Sequence, residues 1–208
     1  MENTAGTVTE TPSAHRKRII LAVTGASGMP YAHALAGYLQ GHCETHLIVS
    51  PAGWLVWKQE LGLPRDILLS KAACAYSQED LAAPPASGSW QHQGMVVCPC
   101  SMASLAAIAR GLGSNLIHRA ADVTLKERRR LVLVTRETPL SSIHLENMLA
   151  ATRAGAVIMP ASPGFYHRPA TLQELVHHLA GRILDALNID HSLTPRWGEP
   201  EPVPAERA

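Results

Sequence analysis

The stretch Arg18 to Tyr38, RIILAVTGASGMPYAHALAGY, sets the architecture of this chain. Its first part, Ile19 to Val23, is a short apolar and partly β-branched run, which is typical of a buried strand. The chain then turns through TGASG at 24–28 and becomes rich in Ala and Leu from Met29, with Pro30 where a first helical turn tolerates it. Such a unit presents free backbone N–H groups and a positive helix end. It predicts either an anion site or a plain tight turn. Its G-x-x-G spacing lacks the third glycine of the dinucleotide-binding fingerprint, so it does not predict a dinucleotide site.

The composition indicates one globular domain. The chain has 208 residues, of which 46% are hydrophobic and 17% charged, enough for a real core. A formal net charge of +1 argues against a nucleic-acid partner. No apolar run is long enough to cross a bilayer, and the N-terminal segment lacks the apolar part of a secretory signal, so we expect a cytoplasmic protein without a membrane segment. The four cysteines form no C-x-x-C pair and no zinc spacing, which favours reduced, mostly buried thiols.

Strand-like and helix-like segments alternate along the whole chain. Further strands are predicted at 44–50, 95–98, 131–135 and 155–159, with a possible short one at 73–76, and helices at 51–60, 101–110, 115–130, 141–153 and 171–188. This alternation predicts an α/β fold, a single-domain Rossmann-like or flavodoxin-like three-layer sandwich with a mostly parallel sheet. The expected boundaries are a flexible tail at 1–16, one domain at 17–190 and a Pro-rich tail at 191–208.

Polar and small residues gather where the predicted strands end, which is where ligands of parallel sheets bind. The turns TGASG and PCSMAS each open a helix, and two such turns suit a flat, phosphorylated cofactor better than a small anion. Ser101 alone is more typical of a simple helix N-cap than of a ligand-binding residue. Four cations that are compatible with this rim and with a phosphate are Arg119, Lys126, Arg136 and Arg182.

Other charged residues leave alternatives open. Glu137 lies beside Arg136 and is either one half of an ion pair or a general acid, and Glu60 is a second carboxylate of uncertain position. The three consecutive arginines at 128–130 are expected to be a solvated helix end. The eleven histidines include no H-E-x-x-H, and no G-x-S-x-G elbow is present, so neither a metal nor a serine nucleophile is expected.

Six motifs, in this order along the chain, resemble the flavin prenyltransferase family, the UbiX group. They are VTGASG at 23–28, APPASGS at 83–89, CPCSMASLAAIA at 98–109, NLIHRAADVTLKERR at 115–129, RETPLSSIHLENM at 136–148 and PASPGFYHRP at 160–169, and the tail adds PRWGE. The resemblance implies a metal-independent transferase that joins a dimethylallyl group from dimethylallyl phosphate to N5 and then C6 of reduced FMN. It also implies that a UbiD-type decarboxylase receives the prenylated FMN, and that the protein is a homo-oligomer, usually a dodecamer, with active sites at subunit junctions.

The resemblance also implies roles for individual residues. Those expected to bind the flavin are Gly25, Ala26, Ser27, Ser50, Ser101, Met102, Ala103, Ser104 and Arg136. Those expected to bind the prenyl phosphate are Tyr166 and Arg182, helped by Arg119 and Lys126. Those expected to act in catalysis are Glu137, which protonates the departing phosphate, together with Lys126 and with Ser27, Ser87 and Glu60, which handle protons at N5.

One position departs from the family. Some relatives have a tryptophan where this chain has Leu81, so either Trp90 or Trp197 supplies the aromatic surface for the allyl cation, or reduced flavin alone does.

Two alternatives remain. The first is a flavin-dependent cysteine decarboxylase, whose catalytic histidine after the second helix and P-x-M-N-x-x-M-W signature are not found here. The second is a non-catalytic FMN-binding regulatory subunit. A non-catalytic binder needs no residues that act on a leaving group. This argues against the second alternative, because the chain combines Glu137, Lys126, Tyr166 and Arg182.

Overall fold

The computed structural model describes residues 16–194, 196 and 198. Within them, strands and helices alternate almost throughout. Their bounds are β1 (Arg18–Val23), α1 (Met29–His42), β2 (Glu44–Val49), α2 (Pro51–Leu61), α3 (Asp66–Leu69), β3 (Cys74–Tyr76), a 3₁₀ turn (Pro84–Ala86), β4 (Gly94–Cys100), α4 (Met102–Ala109), α5 (Leu116–Lys126), β5 (Arg130–Thr135), α6 (Ser142–Arg153), β6 (Val157–Ile158) and α7 (Leu172–Ala186). The predicted tails fall largely outside the described residues.

The strands form one parallel sheet in the order β3-β2-β1-β4-β5-β6. This confirms the predicted α/β class. The direction of winding reverses between β1 and β4, and ligands of such sheets bind in the crevice beyond the carboxyl ends at that point. Since Ala22 pairs with Val97, the turns that follow the two strands lie side by side.

Helices cover both faces of the sheet, because alternate strand residues point to opposite sides. Ile19, Leu21 and Val23 pack against apolar side chains of α1, α2 and α7. Ile20 and Ala22 belong to a second cluster with α4, α5 and α6. The result is the predicted three-layer sandwich.

Some predicted boundaries were wrong. The predicted end of β4 at Cys98 is wrong: the strand continues through Pro99 to Cys100, and its register with β5 shifts between Val97 and Cys100, an irregularity of the kind at which a proline is tolerated. Arg130 is the first residue of β5, whereas the sequence placed it at the end of a bent helix.

The cysteines are unpaired, as predicted, and three of them are buried, Cys74 being exposed. Burial raises the pKa of Cys98, and it raises the pKa of Cys100 to about 12. Both thiols are therefore protonated at neutral pH. Over the described part of the chain, no helix combines the length and the apolarity that a membrane crossing needs.

Candidate active site

Thr24 joins the two turns at the switch point. Its buried hydroxyl donates to the carbonyl of Pro99 at 2.8 Å and accepts the backbone N–H of Ser101 at 2.8 Å. Its own backbone N–H donates to the same carbonyl at 3.2 Å. Sequence reasoning missed Thr24, although a hydroxyl residue that closes a central strand before a glycine turn is a signal for such a link.

The N-terminus of α1 holds the carboxylate of Glu60, which settles the position of that residue. Glu60 accepts the N–H of Gly28 at 3.0 Å and that of Met29 at 2.8 Å, and the Ser27 hydroxyl also donates to it. Burial raises the pKa of Glu60, but the hydrogen bond from Ser27, those from Met29 and Gly28, and the charge of Arg136 outweigh burial, so that the pKa is lowered. Glu60 is therefore ionised at neutral pH. Its position shows that the backbone N–H groups at the end of the first turn bind an anion.

Serines cap the next two helices of this rim. The Ser50 hydroxyl accepts the N–H of Gly53 at 2.9 Å, and the Ser101 hydroxyl accepts the N–H of Ser104 at 3.3 Å. Met102 and Ala103 form the first turn of α4 between the two serines. A Cβ on Gly25 would come within 2.5 Å of the Ala52 side chain, so only glycine lets the first turn pack against α2.

Arg136 and Glu137 follow β5 on the same rim, and both are exposed. The sequence left open whether Glu137 pairs with Arg136 or acts as an acid, and the structure shows no ion pair between these two described residues. Glu137 instead accepts the backbone N–H of Thr138 at 3.0 Å. Its carboxyl group is thus held at the rim by a backbone donor and not by an ion pair with Arg136, and an exposed carboxyl group there is available to act as an acid.

The rim offers what a phosphorylated flavin requires. It combines helix N-termini, several hydroxyl groups and an exposed guanidinium, and such donors match a phosphate monoester and the polar edge of a flat ring. The Glu60 carboxylate already shows that the N–H groups of the first turn point toward an anion. The residues present therefore fit FMN.

A second group of predicted residues lies around the loop 83–89. The Arg119 guanidinium donates to the carbonyl of Ala86 at 3.2 Å, and the Ser87 hydroxyl lies 2.9 Å from that of Ser89. Lys126 pairs with Glu127, and a Cβ on Gly88 would come within 2.6 Å of the lysine nitrogen. Ser87 and Lys126 are thus brought together across Gly88.

The sequence makes Lys126 compatible with the flavin rim, but within its own chain Lys126 lies elsewhere. Lys126 ends α5 and is followed by the first residues of β5, so it lies at the amino edge of the sheet, opposite the flavin rim. Arg129 is also not a solvated charge, since it donates to the carbonyls of Gly88 at 2.8 Å and Trp90 at 2.9 Å. A single chain therefore keeps Ser87 and Lys126 apart from Ser27 and Glu60.

A third group of residues lies on and beside α7. Tyr166, in the loop after β6, has its hydroxyl 2.9 Å from Nε2 of His178, and Arg182 lies one helical turn beyond His178. Arg182 also donates to Asp185 at 2.9 Å. The structure thus places Tyr166 against His178, which the sequence did not single out, one helical turn from Arg182, which the sequence predicted as the partner of Tyr166.

Comparison with known proteins identifies the family. The sequence pattern of the Flavoprotein family matches residues 7–184. A flavin prenyltransferase UbiX of Pseudomonas aeruginosa is 49% identical over 198 residues, which cover 88% of this chain and 95% of that protein. The chain belongs to the flavin prenyltransferase family.

Solved structures of the UbiX group share the architecture. The crystal structure of AnUbiX (PadA1) in complex with FMN and dimethylallyl pyrophosphate superposes with a TM-score of 0.87 at 45% identity, covering 90% of this chain and 100% of that one. A dodecameric FMN-dependent UbiX-like decarboxylase from Escherichia coli O157:H7 gives a TM-score of 0.85 at 42% identity, covering 88% and 100%.

The aromatic surface proposed for this flavin prenyltransferase is only partly located. Trp90 lies against His46 with ring centroids 4.6 Å apart, and the guanidinium of Arg18, the first residue of β1, sits over its ring. Trp90 therefore lies at the amino edge of the sheet. On the rim of its own chain it does not replace the tryptophan that some relatives have at the position of Leu81. Trp197, the other candidate, lies outside the described residues. Across 16–194, no group of His, Cys, Asp and Glu is arranged to share a metal ion.

Proposed function

We propose that this protein transfers a dimethylallyl group from dimethylallyl phosphate to N5 and C6 of reduced FMN. The observation that carries the proposal is the pair of helix-opening turns that Thr24 ties together at the switch point, beside Arg136 and the Glu60 carboxylate. The membership of the flavin prenyltransferase family supports it, as does the FMN and dimethylallyl pyrophosphate bound to AnUbiX.

The rim holds the flavin in this proposal. The turn at Gly25, Ala26 and Ser27 would face the ring system, and the capping serines would donate to the phosphate and to the ring edge. Arg136 would neutralise the phosphate, since a guanidinium satisfies two oxygens at once. When bound, the reduced flavin supplies the electron-rich surface and the nucleophilic nitrogen of the reaction.

Loss of the phosphate from the prenyl donor needs positive charge and a proton. The allylic C–O bond breaks and the phosphate departs with the electron pair, so cations stabilise the charge that develops on its oxygens. Tyr166 and Arg182, with Arg119 and Lys126, are the proposed phosphate ligands. Glu137 is the proposed acid, because its carboxyl group is exposed at the rim.

Ser27 and Glu60 form the proposed route for the proton that leaves N5. The Ser27 hydroxyl already donates to the Glu60 carboxylate, whose lowered pKa keeps it ionised at neutral pH. A serine in this position accepts a proton from the ring nitrogen as it passes its own to the carboxylate. Ser87 would serve the same purpose from the loop 83–89.

A second copy of the chain is proposed to complete the site. Residues 140–149, next to the rim, expose apolar side chains, with Ile143 66%, Leu145 53% and Leu149 50% exposed. Large exposed apolar patches of this kind mark contacts between proteins. Because Lys126 and Ser87 lie away from the rim of their own chain, a neighbouring subunit would bring them to it, in a homo-oligomer of the dodecameric kind seen in the Escherichia coli relative.

The destination of the product extends the proposal. We propose that prenylated FMN is delivered to a UbiD-type decarboxylase, since the modified flavin is useful only to an enzyme that binds it. That the reaction takes place in the cytoplasm stays a prediction from the sequence.

The proposed reaction is tested by following phosphate release. Purified protein is incubated without oxygen with dimethylallyl phosphate and either reduced or oxidised FMN, and inorganic phosphate is measured. The proposal predicts release with reduced FMN only. Equal release without reduced flavin would indicate a phosphatase and contradict a transfer to the flavin.

A further inference from the structure

We propose that His178 is a positioning residue for the transfer, whose imidazole fixes the Tyr166 hydroxyl beside Arg182 so that both grip the phosphate of the prenyl donor together. The inference rests on the proposed function, which makes Tyr166 and Arg182 ligands of that phosphate. It concerns a residue that lies outside the six sequence motifs.

The position of His178 on α7 carries the first step. His178 and Arg182 are four residues apart in one helix, so their side chains share a face. Tyr166 comes from the loop after β6, and its only covalent link to α7 is a stretch of irregular chain. The 2.9 Å contact between the Tyr166 hydroxyl and His178 Nε2 therefore attaches the loop to the face that presents Arg182.

The surroundings of His178 confine its ring. The side chain is only 6% exposed, and the ring of His167 stacks on it with centroids 4.6 Å apart and planes 9° from parallel. A Cβ on Gly164 would come within 2.9 Å of the Tyr166 ring and 3.4 Å of the His178 ring. The imidazole is thus held in one orientation, with Nε2 toward the tyrosine.

The direction of the hydrogen bond follows from the other ring nitrogen. Among the described residues, Nδ1 of His178 has no hydrogen-bond partner although it is buried. A proton on Nδ1 would leave a buried N–H unsatisfied, which is costly, so the proton belongs on Nε2. His178 then donates to the tyrosine oxygen, so this hydrogen bond orients the hydroxyl group without using the tyrosine's own proton.

The charge state of the ring is consistent with this arrangement. Burial lowers the pKa of His178, and the charges of His167 and Arg182 lower it further. The ring is therefore neutral at neutral pH and does not compete with Arg182 as a cation.

A double-mutant cycle tests the inference, with His178→Phe, Tyr166→Phe and the combined variant compared under saturating reduced FMN. In the otherwise unchanged protein, His178→Phe should raise the KM for dimethylallyl phosphate about 3- to 10-fold, the effect of one lost hydrogen bond, with kcat and FMN affinity nearly unchanged. In the Tyr166→Phe background the same change should have no further effect, because the hydroxyl that His178 orients is gone. His178→Gln, whose amide N–H replaces Nε2–H, should restore most of the affinity.

Controls separate this role from packing and from the proposed function. His177→Phe, at the neighbouring position where the side chain bonds only to Gln173 in the described structure, should leave the KM unchanged. An equal effect of His178→Phe in both backgrounds, or no effect in either, would overturn the inference while prenylated flavin from the unmutated protein still upheld the function. An unmutated protein that binds FMN but forms no prenylated flavin would overturn both.

Discussion

At the scale of single residues, the site depends on a carboxylate that occupies the start of a helix. Glu60 is exposed and distant in sequence from α1, yet it accepts N–H groups from Gly28 and Met29. An anion there is stabilised by the unpaired N–H groups and by the helix dipole. The same contacts hold it next to Ser27, so one interaction serves both stability and the proposed proton route.

Glu60 should make the stability of the fold depend on pH in acid. Its pKa is lowered in the folded chain, so its stabilising effect is complete above the ordinary value of 4.5 and is lost as the pH falls through the lowered pKa. The difference in unfolding free energy between the unmutated protein and Glu60→Gln should therefore shrink in acid, from about 0.5–1 kcal/mol at neutral pH. Urea unfolding across this range measures it, and a difference that does not change with pH would contradict the assignment.

Glu137 should matter for chemistry and not for flavin binding. Glu137→Gln keeps the size and the hydrogen bond to Thr138 but cannot protonate a departing phosphate. Prenyl transfer in a single turnover should slow by roughly 10²–10³-fold, the usual range for a lost general acid, while the affinity for FMN stays the same. Glu79→Gln, another exposed carboxylate, is the matched control. Normal turnover by Glu137→Gln would remove Glu137 from the role of acid.

At the scale of elements, Thr24 couples β1 to the start of α4. Thr24→Val preserves the shape of the side chain but leaves the Ser101 N–H without its partner and removes one bond to the Pro99 carbonyl. The change should cost about 1–3 kcal/mol of unfolding free energy and weaken FMN binding, because the two turns lose both hydroxyl bonds and keep only the backbone bond from Thr24 to Pro99. Thr152→Val, on the exposed side of α6 with a bond to Met148, is the control. Full stability and full FMN affinity in Thr24→Val would contradict a coupling role.

The sequence predicted the strands, helices and turns better than the contacts between them. The strands and the turns TGASG and PCSMAS follow from local patterns, since apolar runs and small-residue turns are read over a few residues. The link through Thr24, the reach of Glu60 back to α1 and the anchoring of the loop by Arg129 join segments far apart in sequence, and no local pattern encodes them. Resemblance supplied the site residues and implied active sites at subunit junctions, but it did not say that Ser87 and Lys126 are the residues that lie away from the rim of their own chain.

At the scale of the whole molecule, we expect active sites that are shared between subunits. Glu60→Gln and Lys126→Ala should each form assemblies with strongly reduced transfer. When the two variants are co-expressed or dissociated and mixed, activity should return, because some sites then combine an intact Glu60 with an intact Lys126 from another chain. Light scattering checks that the separate and the mixed variants form the same assembly. Activity that stays at the level of the separate variants would indicate that each chain forms its own complete site.

The most direct test of the central claim is the mass of the flavin after reaction. Purified protein is incubated without oxygen with reduced FMN and dimethylallyl phosphate, or in parallel with the diphosphate, and the released flavin is analysed by mass spectrometry. We expect a flavin heavier by one dimethylallyl unit. Unmodified flavin with both prenyl donors, from protein shown to bind FMN, would contradict it and favour a flavin-binding role without prenyl transfer.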